Sequence, residues 1–247
     1  MTAVKQLKLP LKVAKKDLPK AVISLTGPTA SGKDTILKYL ETNYPIKRLI
    51  SDVTRTKRDG ETDGVDYNFV TREKFEENLK NGEYFQHVEF KGNCYGTNSK
   101  EVKKTLESGK IPVLILEPSG VPHLDILEDE YKLKPCKVFV SAPLEDLLTR
   151  YFKRTSKEEF LKNPEYGYER LKGMVVEHEF WERTHKWDLR IQNDSYVDFA
   201  IEEGAFRIAN KLGLLSDYKV PGKMWTEHQF FKEVFWYGYE DRTTKSE

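Results

Sequence analysis

The clearest chemistry in the sequence lies in the run Gly27-Pro28-Thr29-Ala30-Ser31-Gly32-Lys33, which fits the pattern G-x-x-x-x-G-K. In such a loop the backbone N–H groups turn inward around a phosphate, and the glycines let backbone and phosphate approach closely. Lys33 brings a full positive charge to the β- and γ-phosphates. The pattern asks for Ser or Thr after the lysine, because that hydroxyl ligates Mg²⁺. Here Asp34 stands in that place, followed by Thr35. A carboxylate is itself a hard oxygen ligand, so Asp34 is expected near the metal. It also sets a negative charge beside the phosphates.

A phosphoryl-transfer site needs a second anion site that holds the acceptor in line. Thr54-Arg55-Thr56-Lys57-Arg58-Asp59-Gly60-Glu61 offers two guanidinium groups on a polar stretch. Arginine is the natural bidentate reader of phosphate. On its own such a stretch is also what a solvated charged loop looks like.

The elements that must position these residues follow from patterning. Ala21–Thr26 is a β-rich apolar run that stops at Gly27, and a helix is predicted from Lys33 to about Asn43, with Ile36, Leu37 and Leu40 at helical spacing. Loop and lysine therefore sit between a strand and a helix N-terminus, where the helix dipole favours an anion. Further strands are predicted at 49–51, 67–70, 84–90, 111–116, 136–140 and 189–191. Helices are predicted at 72–81, 99–107, 144–153, 169–184 and 199–212. Ile111–Leu116 is nearly all apolar, as in a strand buried on both faces. Strands alternating with helices predict an α/β fold, a mostly parallel sheet with helices on both faces. Residues 155–168 are polar, with a Pro and a Gly, and read as a mobile stretch.

The order of motifs resembles the guanylate kinase family. The phosphate loop is followed by Ser51-x-x-Thr54-Arg55-x-x-Arg58-x-Gly60-Glu61, Gly64-x-Asp66-Tyr67-x-Phe69-Val70 and Gly92-Asn93-x-Tyr95-Gly96-Thr97. Ser108-Gly109-Lys110, Ala142-Pro143, Glu145-Asp146-Leu147, Arg170-Leu171 and Asn193-Asp194 continue the likeness, which covers residues 20–212. The resemblance implies a P-loop nucleoside monophosphate kinase fold, with a small mixed-β acceptor-binding part at about 50–100 and a helical lid at about 150–170. It implies an ATP-dependent kinase using Mg²⁺, with Lys33 on the ATP phosphates and Asn193 near the adenine. Arg55, Arg58, Tyr67 and Tyr95 would clamp the acceptor monophosphate, and Glu61 would order the arginine pair. Arg150, Arg154 and Arg170 would close on the transferring group, where arginines and Mg²⁺ stabilise the spreading charge. Glu117 matches an acidic position near the metal.

The base-reading positions are where the likeness breaks. The family reads guanine with a Ser, a Glu, a second hydroxyl residue and an Asp. Ser51 and Thr97 are retained, but Gln86 stands at the Glu position and Ile115 at the Asp position. Guanine presents two adjacent donors, and a Gln amide offers only one acceptor beside one donor. A buried mismatch costs about 1–3 kcal/mol. GMP or dGMP is the leading expectation. The alternatives are a pyrimidine (deoxy)nucleoside monophosphate, whose edge pairs a donor with a carbonyl, or guanine bound through water or Glu89. Also open are a ribose bisphosphokinase, a nucleic-acid end kinase, and a silent scaffold, which retention of Lys33, Arg55, Arg58, Arg150 and Arg154 argues against.

Composition sets outer bounds. The chain has 247 residues, with 41 Lys+Arg against 40 Asp+Glu and a formal charge of +1. That balance argues against a general nucleic-acid coat. Cys94 and Cys136 make neither a CxxC pair nor a zinc spacing. No apolar run reaches the roughly 18 residues of a membrane span, and a cytoplasmic location is expected. Residues 1–19 read as a basic N-terminal extension without the apolar core of a secretory signal. Residues 213–247 read as an aromatic C-terminal extension, a candidate homodimer contact through residues such as Trp225, Phe230, Trp236 and Tyr239.

Overall fold

The computed structural model describes residues 18–58, 60–90, 92–155, 157–162, 164–195 and 200–215. The basic and aromatic extensions, with the dimer contact expected of the latter, fall almost entirely outside these residues.

Strand β1 (Ala21–Thr26) is buried along its whole length. It lies at the centre of a five-stranded parallel sheet in the order β2-β7-β1-β8-β9. The other strands are β2 (Ile46–Arg48), β7 (Ile111–Ile115), β8 (Lys134–Ser141) and β9 (Leu189–Gln192). Ile23 pairs with Val113 on one side and Cys136 on the other. Alternate side chains of β1 enter opposite cores, as strand geometry requires. Ala21, Ile23 and Leu25 meet helices α1 (Lys33–Asn43) and α8 (Ala200–Lys211), through Ile36, Leu37, Leu40, Ala205 and Ile208. Val22 faces the other way, into a core with Leu49, Phe85, Val102, Leu114, Leu124 and Leu127. Helices α3 (Ser99–Glu107) and α4 (Leu124–Tyr131) supply that side. The first core continues through Leu214 and Leu215, past the end of α8.

A second, four-stranded sheet has the order β4-β3-β6-β5. It comprises β3 (Asp52–Val53), β4 (Asn68–Phe69), β5 (Tyr84–Phe90) and β6 (Asn93–Asn98), covered by α2 (Arg72–Lys80). The β3–β4 pair is parallel, and β6 runs antiparallel to both β3 and β5. Phe75, Tyr84 and Cys94 form its small apolar core. Beside them the buried Asp52 carboxylate accepts from Tyr84 Oη at 2.5 Å, Asn68 Nδ2 at 2.8 Å and Asn78 Nδ2 at 3.3 Å. Three donors thus satisfy the oxygens of this buried side chain.

Some elements differ from the sequence reading. The strand expected at 49–51 is a crossing between the two sheets. Leu49 N–H still bonds Val113 O, whereas Ser51 O already accepts from Asn68 N–H. Strand β6 and helix α4, preceded by a 3₁₀ turn at Pro118–His123, were not expected. Residues 155–168, expected as a mobile stretch, hold α6 (Lys157–Lys162) and the start of α7 (Pro164–Thr184), after α5 (Leu144–Arg154). The proline and glycine are compatible with helix here for local reasons. Pro164 is the first residue of α7, where its missing N–H costs nothing. Gly167 leaves room for the Phe160 ring, which a Cβ would meet at 2.5 Å.

Candidate active site

The phosphate loop follows the C-terminal end of β1, where ligands sit on open parallel sheets. Gly32 caps α1 at φ 92°, a left-handed conformation suited to glycine. A Cβ there would lie 2.2 Å from Asn193 Nδ2. At Gly27 a Cβ would lie 2.0 Å from the backbone oxygen of Val140. Both glycines are thus required by close packing as well as by ligand approach. Lys33 Nζ curls over the loop and donates to Gly27 O at 2.7 Å and Pro28 O at 2.9 Å.

The loop is braced from the far end of the sheet. Asn193, just past β9, donates from Nδ2 to Ser31 O at 2.8 Å. Arg150 Nη2 on α5 donates to Asn193 O at 2.9 Å and lies 3.3 Å from Asp146 Oδ2. Asp146, at the start of α5, accepts from Ser195 N–H at 2.7 Å and from the Ser195 hydroxyl. Burial pushes the Asp146 carboxyl up, but these bonds and the Arg150 charge outweigh it and hold the pKa below the usual value. The resemblance places Asn193 near the adenine; the geometry commits its amide to the loop. Sequence reasoning named Asp146 and Ser195 as motif members or not at all. The i,i+4 spacing of Asp146 and Arg150 on the predicted helix is a signal for their pairing, whereas Ser195 carries none short of the fold.

Opposite the loop, Arg55 makes a bidentate pair with Glu61, with Nη1···Oε2 at 2.7 Å and Nη2···Oε1 at 2.6 Å. The same carboxylate accepts from Arg58 N–H at 2.9 Å. Glu61 therefore bonds both arginine positions, the guanidinium of one and the backbone of the other. Burial raises the Glu61 pKa, but its bonds to Arg55 and Arg58 outweigh that and lower it overall. Burial works against the Arg55 charge, and Glu61 more than compensates, raising its pKa above the ordinary value. The Tyr67 ring lies 5.1 Å from the Arg55 guanidinium and 6.2 Å, edge-on, from the Tyr95 ring. Burial, then the Asp34 charge, pushes the Tyr67 phenol up to about 12, so it remains a neutral hydrogen-bond donor.

One cleft of about 320 Å³ joins the two sides. Thr29, Ala30, Gly32, Lys33, Asp34 and Thr35 of the loop and α1 line it on one side, with Arg55, Arg58, Tyr67 and Tyr95 from the small-sheet region and Arg150 and Arg154 from α5. Glu117, which precedes the 3₁₀ turn after β7, and Ile115 line it too. Ser51, in the crossing, and Gln86 and Thr97, in the small sheet, form a cluster of their own and are not among the residues lining the cleft. Ser51 Oγ and Thr97 Oγ1 are 2.8 Å apart, and Thr97 Oγ1 lies 3.3 Å from Gln86 Oε1. Gln86 is only 2% exposed. Arg170 falls on α7 with its side chain outside the described residues.

Among the described residues there is no cluster of three or more His, Cys, Asp or Glu that would cage a metal. The two carboxylates of the cleft, Asp34 and Glu117, fit the mode in which Mg²⁺ takes one or two protein carboxylates and the substrate phosphates.

A phosphate-binding loop facing an arginine–tyrosine clamp across one cleft, on this pair of sheets, defines a P-loop phosphotransferase with a built-in acceptor site. Comparison with known proteins narrows the class. The guanylate kinase family model matches residues 19–203. A guanylate kinase of Clostridium perfringens is 32% identical over 198 residues, covering 79% of this chain and 86% of that protein. The guanylate kinase of Sus scrofa is 34% identical over 179 residues, covering 72% and 86%. The crystal structure of guanylate kinase from Anaplasma phagocytophilum superposes with a TM-score of 0.57 at 26% identity, covering 88% of this chain and 96% of that one. The chain belongs to the guanylate kinase family of nucleoside monophosphate kinases. No helix among the described residues is long and apolar enough to cross a membrane.

Proposed function

We propose that this chain transfers the γ-phosphoryl group of ATP to GMP, or dGMP, forming ADP and the nucleoside diphosphate. The observation that carries the reading is the single cleft shared by Lys33 and Arg55, a donor-phosphate cation facing an acceptor-phosphate cation. A phosphate oxygen of GMP attacks the γ-phosphorus, and the bond from that phosphorus to the β–γ bridging oxygen breaks. Little proton chemistry is needed, so positioning and charge stabilisation dominate. Arg55 and Arg58 hold the acceptor phosphate with Tyr67 and Tyr95. Lys33 and the loop N–H groups hold the donor. Arg150, fixed by Asp146 and the Asn193 carbonyl, stabilises charge on the transferring oxygens together with Arg154. Mg²⁺ bound with ATP neutralises phosphate charge, and Asp34 and Glu117 are the residues that would hold it.

Gln86 supplies one acceptor to the guanine edge, and the hydroxyl oxygens of Ser51 and Thr97 supply the second. With free nucleotides as substrates, the reaction belongs in the cytoplasm. The test is product analysis: ATP, Mg²⁺ and GMP should give ADP and GDP in equal amounts, and Lys33→Met should abolish both. ATP hydrolysis without GDP would contradict the reading.

A further inference from the structure

Arg48 ends β2, next to the crossing between the sheets, and is 7% exposed. Its Nη1 lies 3.1 Å from Asp34 Oδ1 and 3.7 Å from Asp66 Oδ1. Its guanidinium carbon stands 5.3 Å from the centroid of the Tyr67 ring. Its backbone N–H donates to Glu41 Oε1 at 2.9 Å. The buried guanidinium thus touches α1 through Asp34 and the acceptor segment through Asp66 and Tyr67, while the Arg48 backbone adds the bond to Glu41. A guanidinium is withdrawn from water at low cost only where such partners compensate it.

Asp34 replaces the motif hydroxyl, and its side chain is 64% exposed on the wall that binds phosphate. An uncompensated carboxylate there would repel the anion that Lys33 and the loop attract. Arg48, which is not among the residues lining the cleft, offsets that charge at 3.1 Å. The acid at position 34 is therefore accommodated by a cation fourteen residues further on.

We infer that Arg48 is a positioning residue for both nucleotides: it neutralises Asp34 towards ATP and holds Tyr67 and Asp66 of the acceptor clamp against the donor helix. The inference rests on the loop being the ATP site. Calorimetric affinities for Mg²⁺-free ATP, where no metal offsets Asp34, of the wild type, R48Q, D34S and R48Q/D34S form a double-mutant cycle that isolates the pairing. R48Q should weaken ATP binding about fivefold, the scale of a partly screened ion pair. In the D34S background the same change should cost less than about twofold, since the carboxylate it compensates is gone. Equal losses in both backgrounds overturn the inference, as does an R48Q chain with wild-type affinity. If R48Q alone does not fold, a folded R48Q/D34S chain that binds ATP like D34S supports the pairing, and a double variant that also fails overturns it. A wild-type chain that binds no ATP overturns both readings of the site, whereas one that binds ATP yet forms no GDP overturns the GMP reading alone.

Discussion

Asn193 donates its side-chain amide to the carbonyl oxygen of Ser31, 2.8 Å away and 162 residues distant in sequence. The shape of the phosphate loop is therefore set by the end of β9. Through its own carbonyl, Asn193 also fixes Arg150. Asn193→Ala removes the amide and leaves the Ser31 carbonyl unpartnered, at a cost of about 1–3 kcal/mol. The KM for ATP should rise about tenfold, with the KM for GMP changed less than about twofold. Steady-state kinetics with each substrate varied in turn checks this, and an unchanged ATP KM would show that the loop holds its shape without Asn193.

Glu61 orders the acceptor arginines, so Glu61→Gln should act on GMP before it acts on catalysis. The amide keeps the shape and loses the charge that pairs with Arg55 and bonds the Arg58 N–H. The KM for GMP should rise about tenfold, the scale of a charge-assisted hydrogen bond, with a smaller fall in kcat. A kcat loss at constant KM would move Glu61 out of this role.

The same carboxylate sets a pH limit. Its pKa is lowered in the folded protein, outweighing burial through the bonds from Arg55 and Arg58. A depressed acid contributes stability that is present above its unfolded value, about 4.3, and is lost as pH falls through the folded value. GMP affinity should therefore show a first decline at about pH 6, where the GMP phosphate itself takes up a proton, and a second, due to Glu61, only below the ordinary carboxylate range. Titration of GMP binding against pH, in the wild type and in Glu61→Gln, tests this; a lower decline that persists in Glu61→Gln would point to another group. In Glu61→Gln the second decline should disappear.

Gln86 gives the base pocket its character. It is buried and already bonded to Thr97, so Gln86→Leu leaves the base edge and Thr97 short of a partner. GMP kcat/KM should fall about 10–100-fold. Gln86→Glu provides two acceptors for two guanine donors, and should raise the preference for GMP over pyrimidine monophosphates. Gly120→Ala probes the same wall from the 3₁₀ turn, because its Cβ would come within 2.9 Å of Gln86 Nε2. It should weaken GMP with little effect on ATP. Competition assays between nucleotides read all three variants.

The centre of the parallel sheet was readable because β1, Ile111–Ile115 and the end of β8 are nearly all apolar, whereas β2, with Lys47 and Arg48, was expected three residues later, at 49–51. The phosphate loop was readable because its chemistry is local. Strand β6 was not, because Asn93, Gly96 and Asn98 oppose strand propensity, and pairing with β5 and β3 overrides it. Helix α4 escaped because Pro118, Gly120 and Pro122 sit just before it and read as loop, yet they form the 3₁₀ turn that leads into it. The clamp residues came from motif order. Of their supports, Asp146 and Arg150 stand at i,i+4 on one helix, whereas Arg48 meets Asp34 and Asn193 meets Ser31 only through the fold. A lone arginine at a strand end carries no sequence signal of its own.

The most direct measurement is Mg²⁺-dependent ATP consumption with a panel of ribo- and deoxyribonucleoside monophosphates, with products identified. GMP and dGMP should lead the panel, with their diphosphates and ADP formed one for one. A panel led by a pyrimidine monophosphate, or one in which no nucleotide is phosphorylated, would contradict the account.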